Sequence, residues 1–179
     1  MSRKNLNEFG YNTKNSTYQS NILISNIDYY VSQTLLGRKN KISYKDLSTS
    51  AIVFYWGIKS QFKDLDLHNI IFSSDYKKEF YDIFETSSIP QDPTIYINIS
   101  SKMDKSHAPE GCENWFVMIN IPPIPDLVNS IEIQKVRSFI INQINNRFKV
   151  DLDDLIENEK LLTPKSLFEN TGSFNGALY

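Results

Sequence analysis

The sequence predicts an α/β domain built on a mixed β-sheet, and three stretches carry that prediction. Trp115 to Ile119 is an uninterrupted apolar run that follows a turn at Pro109-Glu110-Gly111 and stops at Pro122-Pro123. The turn has a mechanism: proline pre-sets φ, and Gly111 can take positive φ without steric cost. Ala51 to Ile58 is a second apolar run of strand length. Between Ser130 and Phe148, Ile133, Val136, Ile140 and Ile144 fall at helical spacing. Apolar runs bounded by breakers read as strands buried on both faces. The expected arrangement is therefore five or six strands with helices on one side.

The elements follow in order. Residues 1–17 are polar and without periodicity, so a disordered or loosely held start is expected, and residues 18–179 read as one domain. Residues 18–25 form a short apolar strand. A helix from Asp28 to Leu36 carries Val31, Leu35 and Leu36 on one stripe, with Gly37 at its C-terminal end. Arg38-Lys39-Asn40-Lys41 is a basic loop. Residues 51–58 and 68–72 are strands, and 76–84 is a helix with Phe80, Ile83 and Phe84 inward. Thr94 to Ser100 alternates, with Ile95, Ile97 and Ile99 on one face and Tyr96, Asn98 and Ser100 on the other. In the next strand, Asn114, Phe116, Met118 and Asn120 oppose Trp115, Val117, Ile119 and Ile121. The long helix is followed by a strand at 157–163, and Thr163-Pro164 reads as the cap and first residue of a short helix.

Composition narrows the function. The chain has 179 residues, 40% hydrophobic and 22% charged, with net charge −2. Such a balance supplies no concentrated basic face for nucleic acid, and no nucleic-acid partner is expected. One cysteine excludes an internal disulfide, and only His68 and His107 accompany it, so no zinc site is expected. No apolar run approaches the length needed to cross a bilayer. A cytoplasmic protein with at most peripheral membrane contact is expected.

Several motifs together resemble a known family. Asp104-x-Ser-x-Ala-Pro-x-Gly-Cys112, followed by a strand and a proline pair, is similar to the phytoene desaturase family of FAD-dependent carotenoid desaturases. Ser25-Asn26-Ile27-Asp28 resembles the family's Ser-Asn-Ala-Asp, with the bulkier Ile27 in place of Ala. His68 to Phe72 with Asp75-Tyr76, Asp92-Pro93-Thr94-Ile95-Tyr96, and Thr163-Pro164 through Gly176-Ala-Leu-Tyr179 match in order. The resemblance is greatest to the hydroxycarotenoid 3,4-desaturase branch. It implies a Rossmann-like flavoprotein, with FAD taking a hydride from an allylic carbon of a hydrophobic polyene. It also implies Ser25, Asn26 and Asp28 beside the flavin. No Gly-x-Gly-x-x-Gly follows a strand, so the pyrophosphate-binding fingerprint is absent. The expectation is the substrate-domain portion of a longer enzyme.

Other candidate chemistry is thin. Asp151, Asp153 and Asp154 read as a solvated turn, Cys112 as a small residue entering a strand, and His107 as a surface side chain. Tyr55, Trp56, His68, Tyr96, Asn98, Met118 and Asn120 are the candidate substrate-binding set. Two accounts of the aromatic residues stand at this point: a packed core, or one sheet face lining a tunnel for a polyene. A stand-alone apolar-ligand module and a polyene saturase or isomerase remain as alternative functions. The sequence does not give the oligomeric state.

Overall fold

A computed structural model describes the backbone of residues 2–5 and 8–12, and residues 15–38, 43 and 46–178 in full. Eight strands and four α-helices follow one another among these residues. The strands are β1 (Ser2–Asn5), β2 (Glu8–Asn12), β3 (Thr17–Ser20), β4 (Ser50–Ile58), β5 (His68–Ile71), β6 (Ile95–Asn98), β7 (Glu113–Ile121) and β8 (Ile156–Leu162). The helices are α1 (Tyr29–Leu35), α2 (Tyr76–Phe84), α3 (Ser130–Phe148) and α4 (Pro164–Thr171).

The main sheet has five strands in the order β5-β6-β7-β4-β8, so the strands expected at 51–58, 94–100 and 114–121 do share one sheet. All four of its pairings are antiparallel, which corrects the expected mixed sheet. Hydrophobic periodicity reports which face a residue takes, not which way its strand runs. The expectation of burial on both faces also needs correcting for β7, where burial alternates residue by residue. Trp115, Val117, Ile119 and Ile121 are buried, while Asn114, Phe116, Met118 and Asn120 are half-buried. β4 is buried from Ser50 to Phe54 and then opens at Tyr55 and Gly57.

The packed face carries the core. Ile52, Phe54 and Trp56 of β4 stand in register with Ile119, Val117 and Trp115 of β7. Ile95 and Ile97 of β6 extend this layer, and Val136, Ile140, Ile141 and Ile144 of α3 close over it. α3 begins where Asn129 accepts from the N–H groups of Ile131 and Glu132, and ends at Lys149 in the left-handed region. The outer edge strand β8 exposes Glu157, Asn158, Glu159 and Lys160, polar side chains that discourage a further strand from pairing there.

Other expectations are revised. The polar start forms a three-stranded antiparallel sheet, β1-β2-β3; short links let main chains pair without apolar side chains. The strand expected over 18–25 ends at Ser20, and Ile22 and Ile24 are 78% and 87% exposed. No residue of α1 is buried. In α2 the inward residues are Glu79, Asp82 and Ile83, while Phe84 is exposed and Phe80 half-buried. Glu79 turns in because its carboxylate accepts from the N–H and hydroxyl of Thr94, at 2.9 and 2.7 Å, tying α2 to the start of β6. Most of the basic loop, residues 39–41, lies outside the described residues; Arg38 donates to Gln33.

Candidate functional site

Because α3 closes one face of the sheet, the other face is where a ligand could lie. The register sets out its rows. Tyr55 of β4 lies opposite Phe116 of β7, which lies opposite Asn98 of β6, which lies opposite His68 of β5. The next row is Val53, Met118, Tyr96 and Ile70, and on β8 Lys160 and Leu162 extend the two rows. The result is an aromatic and aliphatic band two residues wide that crosses all five strands. At about 4.8 Å per strand spacing it runs for ~19 Å.

Ring contacts organise the band. Phe116 packs edge-on to Tyr55 and to Tyr96, with centroids 5.5 and 6.1 Å apart. His68 stacks beside Tyr96 at 6.0 Å, and its Nδ1 lies 2.7 Å from the Tyr96 hydroxyl. Tyr55 and Ile70 are 42% and 51% exposed, large values for apolar groups gathered in one place. Polar groups border the band. Asn114 donates to the Ser100 hydroxyl at 2.7 Å and accepts from the Ser101 N–H at 2.9 Å. At the other border, Asn120 accepts from the Thr49 hydroxyl at 3.2 Å.

Six of the seven residues expected to bind substrate therefore share this face: Tyr55, His68, Tyr96, Asn98, Met118 and Asn120. Trp56 does not. It is 1% exposed on the packed face, donating its indole N–H to Glu159 at 2.6 Å, which corrects its assignment. Adjacent strand residues point to opposite sides, so Tyr55 and Trp56 could not both line one face. A depression of about 490 Å³ includes Tyr55, Asn98, Asn114, Phe116 and Lys160 among its walls; Tyr96, Met118 and Asn120 are not among them. Of Tyr96, Asn98, Met118 and Asn120 the depression thus holds Asn98; along the band Tyr55, His68 and Ile70 are exposed, Tyr96, Phe116 and Met118 half-buried and Val53 buried.

The residues expected beside a flavin gather elsewhere. A cleft of about 930 Å³ is lined by Asn26, Asp28, Tyr29 and Tyr30 on one side and by Leu167, Phe174 and Leu178 on the other. Asp28 is committed within the chain. One carboxylate oxygen caps α1 through the Val31 N–H at 3.0 Å, and the other accepts from the Phe174 N–H at 3.1 Å. Tyr30 stacks on Phe174 at 3.8 Å. The Ser25 hydroxyl pairs with that of Ser32, whereas Asn26 is among the residues lining the cleft.

Two structural centres escaped the sequence reading. Glu113, 3% exposed, accepts from the Phe62 N–H, the Trp115 indole and Lys102, at 3.0, 2.9 and 2.7 Å. Arg137 bridges Glu159 and Asp153, each at 2.7 Å. Burial alone would lower the Arg137 pKa, but hydrogen bonds to Glu159 and Asp153 outweigh it and raise it. Only the alternation Glu113-x-Trp115 hinted at the first centre, since residues two apart on a strand share a face.

The fold and site together define an α/β domain whose sheet is packed on one side and aromatic on the other. The chain belongs to the carotenoid desaturase family, within its hydroxycarotenoid desaturase branch. It is 42% identical over 176 residues to the 1-hydroxycarotenoid 3,4-desaturase of Flavobacterium sp. (strain P99-3), covering 95% of this chain and 36% of that protein. It is 30% identical over 187 residues to a phytoene desaturase of Fusarium fujikuroi, covering 89% of this chain and 32% of that one. It is 33% identical over 133 residues to a 4,4'-diaponeurosporene oxygenase of Staphylococcus haemolyticus (strain JCSC1435), covering 74% and 26%. The chain thus spans about a third of the length of these relatives. None of the protein-family models matches it.

Proposed function

We propose that these residues form the substrate-binding side of a FAD-dependent, Rossmann-like oxidoreductase that desaturates a carotenoid in carotenoid biosynthesis. The aromatic band carries this reading. It offers a polyene an apolar strip of about the length of a rigid conjugated segment, bordered by amides, on a sheet whose other face is already packed. The relatives' names supply the substrate class, and a hydroxylated carotenoid is the form in the name of the 42% identical relative. The role of this chain is to bind and orient the polyene while keeping water from it.

The cofactor is held mainly by other residues in this reading. A dinucleotide pyrophosphate needs a glycine-rich turn at a helix N-terminus, and the sequence contains none. Asp28 and Ser25 already have partners within the chain, leaving Asn26 as the expected contact that lines the cleft. The residues present do not fit the pyrophosphate. Any membrane contact is proposed to be peripheral, since no helix among the described residues is long and apolar enough to cross a bilayer.

The test is spectroscopic. The purified chain should be colourless. It should give an induced circular-dichroism band when a polyene in detergent micelles is added. Phe116→Asp and Met118→Lys, both on the band, should abolish that signal while leaving the far-UV spectrum intact. A stoichiometric flavin spectrum, or polyene binding unaffected by either substitution, would overturn the reading.

A further inference from the structure

We infer that His68 is the residue that recognises a hydroxyl group on the polyene, donating a hydrogen bond through Nε2. The inference rests on the proposed polyene band and adds what the end of that band selects.

Asn98 orients the His68 ring. Its amide nitrogen donates to the Leu67 carbonyl at 3.2 Å and lies 3.3 Å from His68 Nδ1. Turning the amide over would set its oxygen against the Leu67 carbonyl oxygen, so the nitrogen must face both groups. An amide NH₂ only donates, so its approach to Nδ1 suits the tautomer in which that nitrogen accepts. In that tautomer the Tyr96 hydroxyl, 2.7 Å away, donates to the single Nδ1 lone pair, and the ring carries its proton on Nε2. Asn98 and Tyr96 are in this way positioning residues: together they select one tautomer and fix the ring plane.

Nε2–H makes no hydrogen bond among the described residues, and His68 is exposed on the edge strand β5. It closes the end of the Tyr55-Phe116-Asn98-His68 row. A hydrocarbon lying along the band would leave this exposed N–H to water. A polyene whose end group carries a hydroxyl would place an oxygen there. The hydroxyl then adds the net value of one exchanged hydrogen bond.

The experiment measures the affinity of the purified chain for a hydroxylated polyene and for its hydrocarbon counterpart, using induced circular dichroism in micelles. The wild type should prefer the hydroxylated polyene by about tenfold, the scale of one hydrogen bond to a neutral partner. His68→Leu should remove the preference, weakening the hydroxylated polyene about tenfold more than the hydrocarbon. His68→Gln, whose amide nitrogen reaches the Nε2 position, should retain most of it. Asn98→Leu should lower the preference and shift the ¹⁵N signals of His68 from a single Nε2–H tautomer toward a mixture, a change that a purely structural asparagine would not cause. Equal preference in the wild type and His68→Leu, with both polyenes bound, would overturn the role of His68 and leave the band reading standing. Failure of the wild type to bind either polyene would overturn both.

Discussion

Trp56 and Trp115 face each other directly across β4 and β7, and each indole N–H ends on a different glutamate, Glu159 at 2.6 Å and Glu113 at 2.9 Å. Two large side chains thereby fill the packed face while each keeps its one polar atom paired, as buried tryptophans require. Trp56→Phe should cost about 2 kcal/mol, the scale of a hydrogen bond to a charged group plus lost packing. Because the two residues are cross-strand partners, Trp56→Phe and Trp115→Phe together should differ from the sum of the two single losses. Urea unfolding of the three variants measures both quantities.

Glu113 should be the more sensitive partner. Its carboxylate takes Lys102, the Phe62 N–H and the Trp115 indole inside the fold. Glu113→Ala would leave the Lys102 ammonium, only 20% exposed, with the Phe62 carbonyl but no counter-charge, and orphan two N–H donors. A loss of about 3–5 kcal/mol is expected in chemical denaturation. Replacing Glu113 and Lys102 together by Leu and Met should recover part of that loss.

Gly176 cannot be replaced. Its φ is +72°, and a Cβ there would overlap the carbonyl of Pro164. Gly176→Ala should undo the docking of the 173–178 segment, with a fall in thermal midpoint far larger than that of Gly111→Ala. At Gly111 φ is +80° but a Cβ would meet open space, and only the left-handed backbone cost of about 1–2 kcal/mol applies.

The loop at 104–107 should respond to acid. The Ser106 hydroxyl, and then its N–H, donate to Asp104 and hold its carboxyl below the ordinary range. A depressed carboxylate contributes order that is fully present above the unfolded value, about 3.9, and lost as pH falls through the folded value. Carboxyl NMR titration should show Asp104 protonating below that value. Ser106→Ala should move its titration upward, though not fully, because the backbone N–H remains.

Much of this arrangement is legible in the sequence, and the misses have physical causes. β4, β6, β7, α2 and α3 fall close to their expected limits because apolar periodicity and breakers mark them. Thr163 caps α4 through a capping box with Ser166, as its position before Pro164 suggested. Strand direction and order were not readable, because no local pattern encodes a partner. Glu79 and Glu113 were missed because burying a carboxylate depends on donors far away in the chain, at Thr94 and at Phe62 and Lys102. The roles of Asp28 as a helix cap and as the tie to Phe174 were not foreseen, because the second partner lies far away in the chain. Trp56 was placed with Tyr55 by its chemistry, although the alternation of a strand separates them.

The position of β4 also governs how the chain can fold. It lies between β7 and β8, so residues 50–58 must find partners at 113–121 and again at 156–162. Contacts this distant in sequence slow the search for the native state. As the polypeptide emerges from the ribosome, the most apolar strand of the sheet waits with one edge unpaired until residue 162 has appeared. Such an edge recruits other chains. Production at low temperature with slow translation or an early chaperone should therefore raise the soluble yield, whereas truncation before Ile156 should give aggregates.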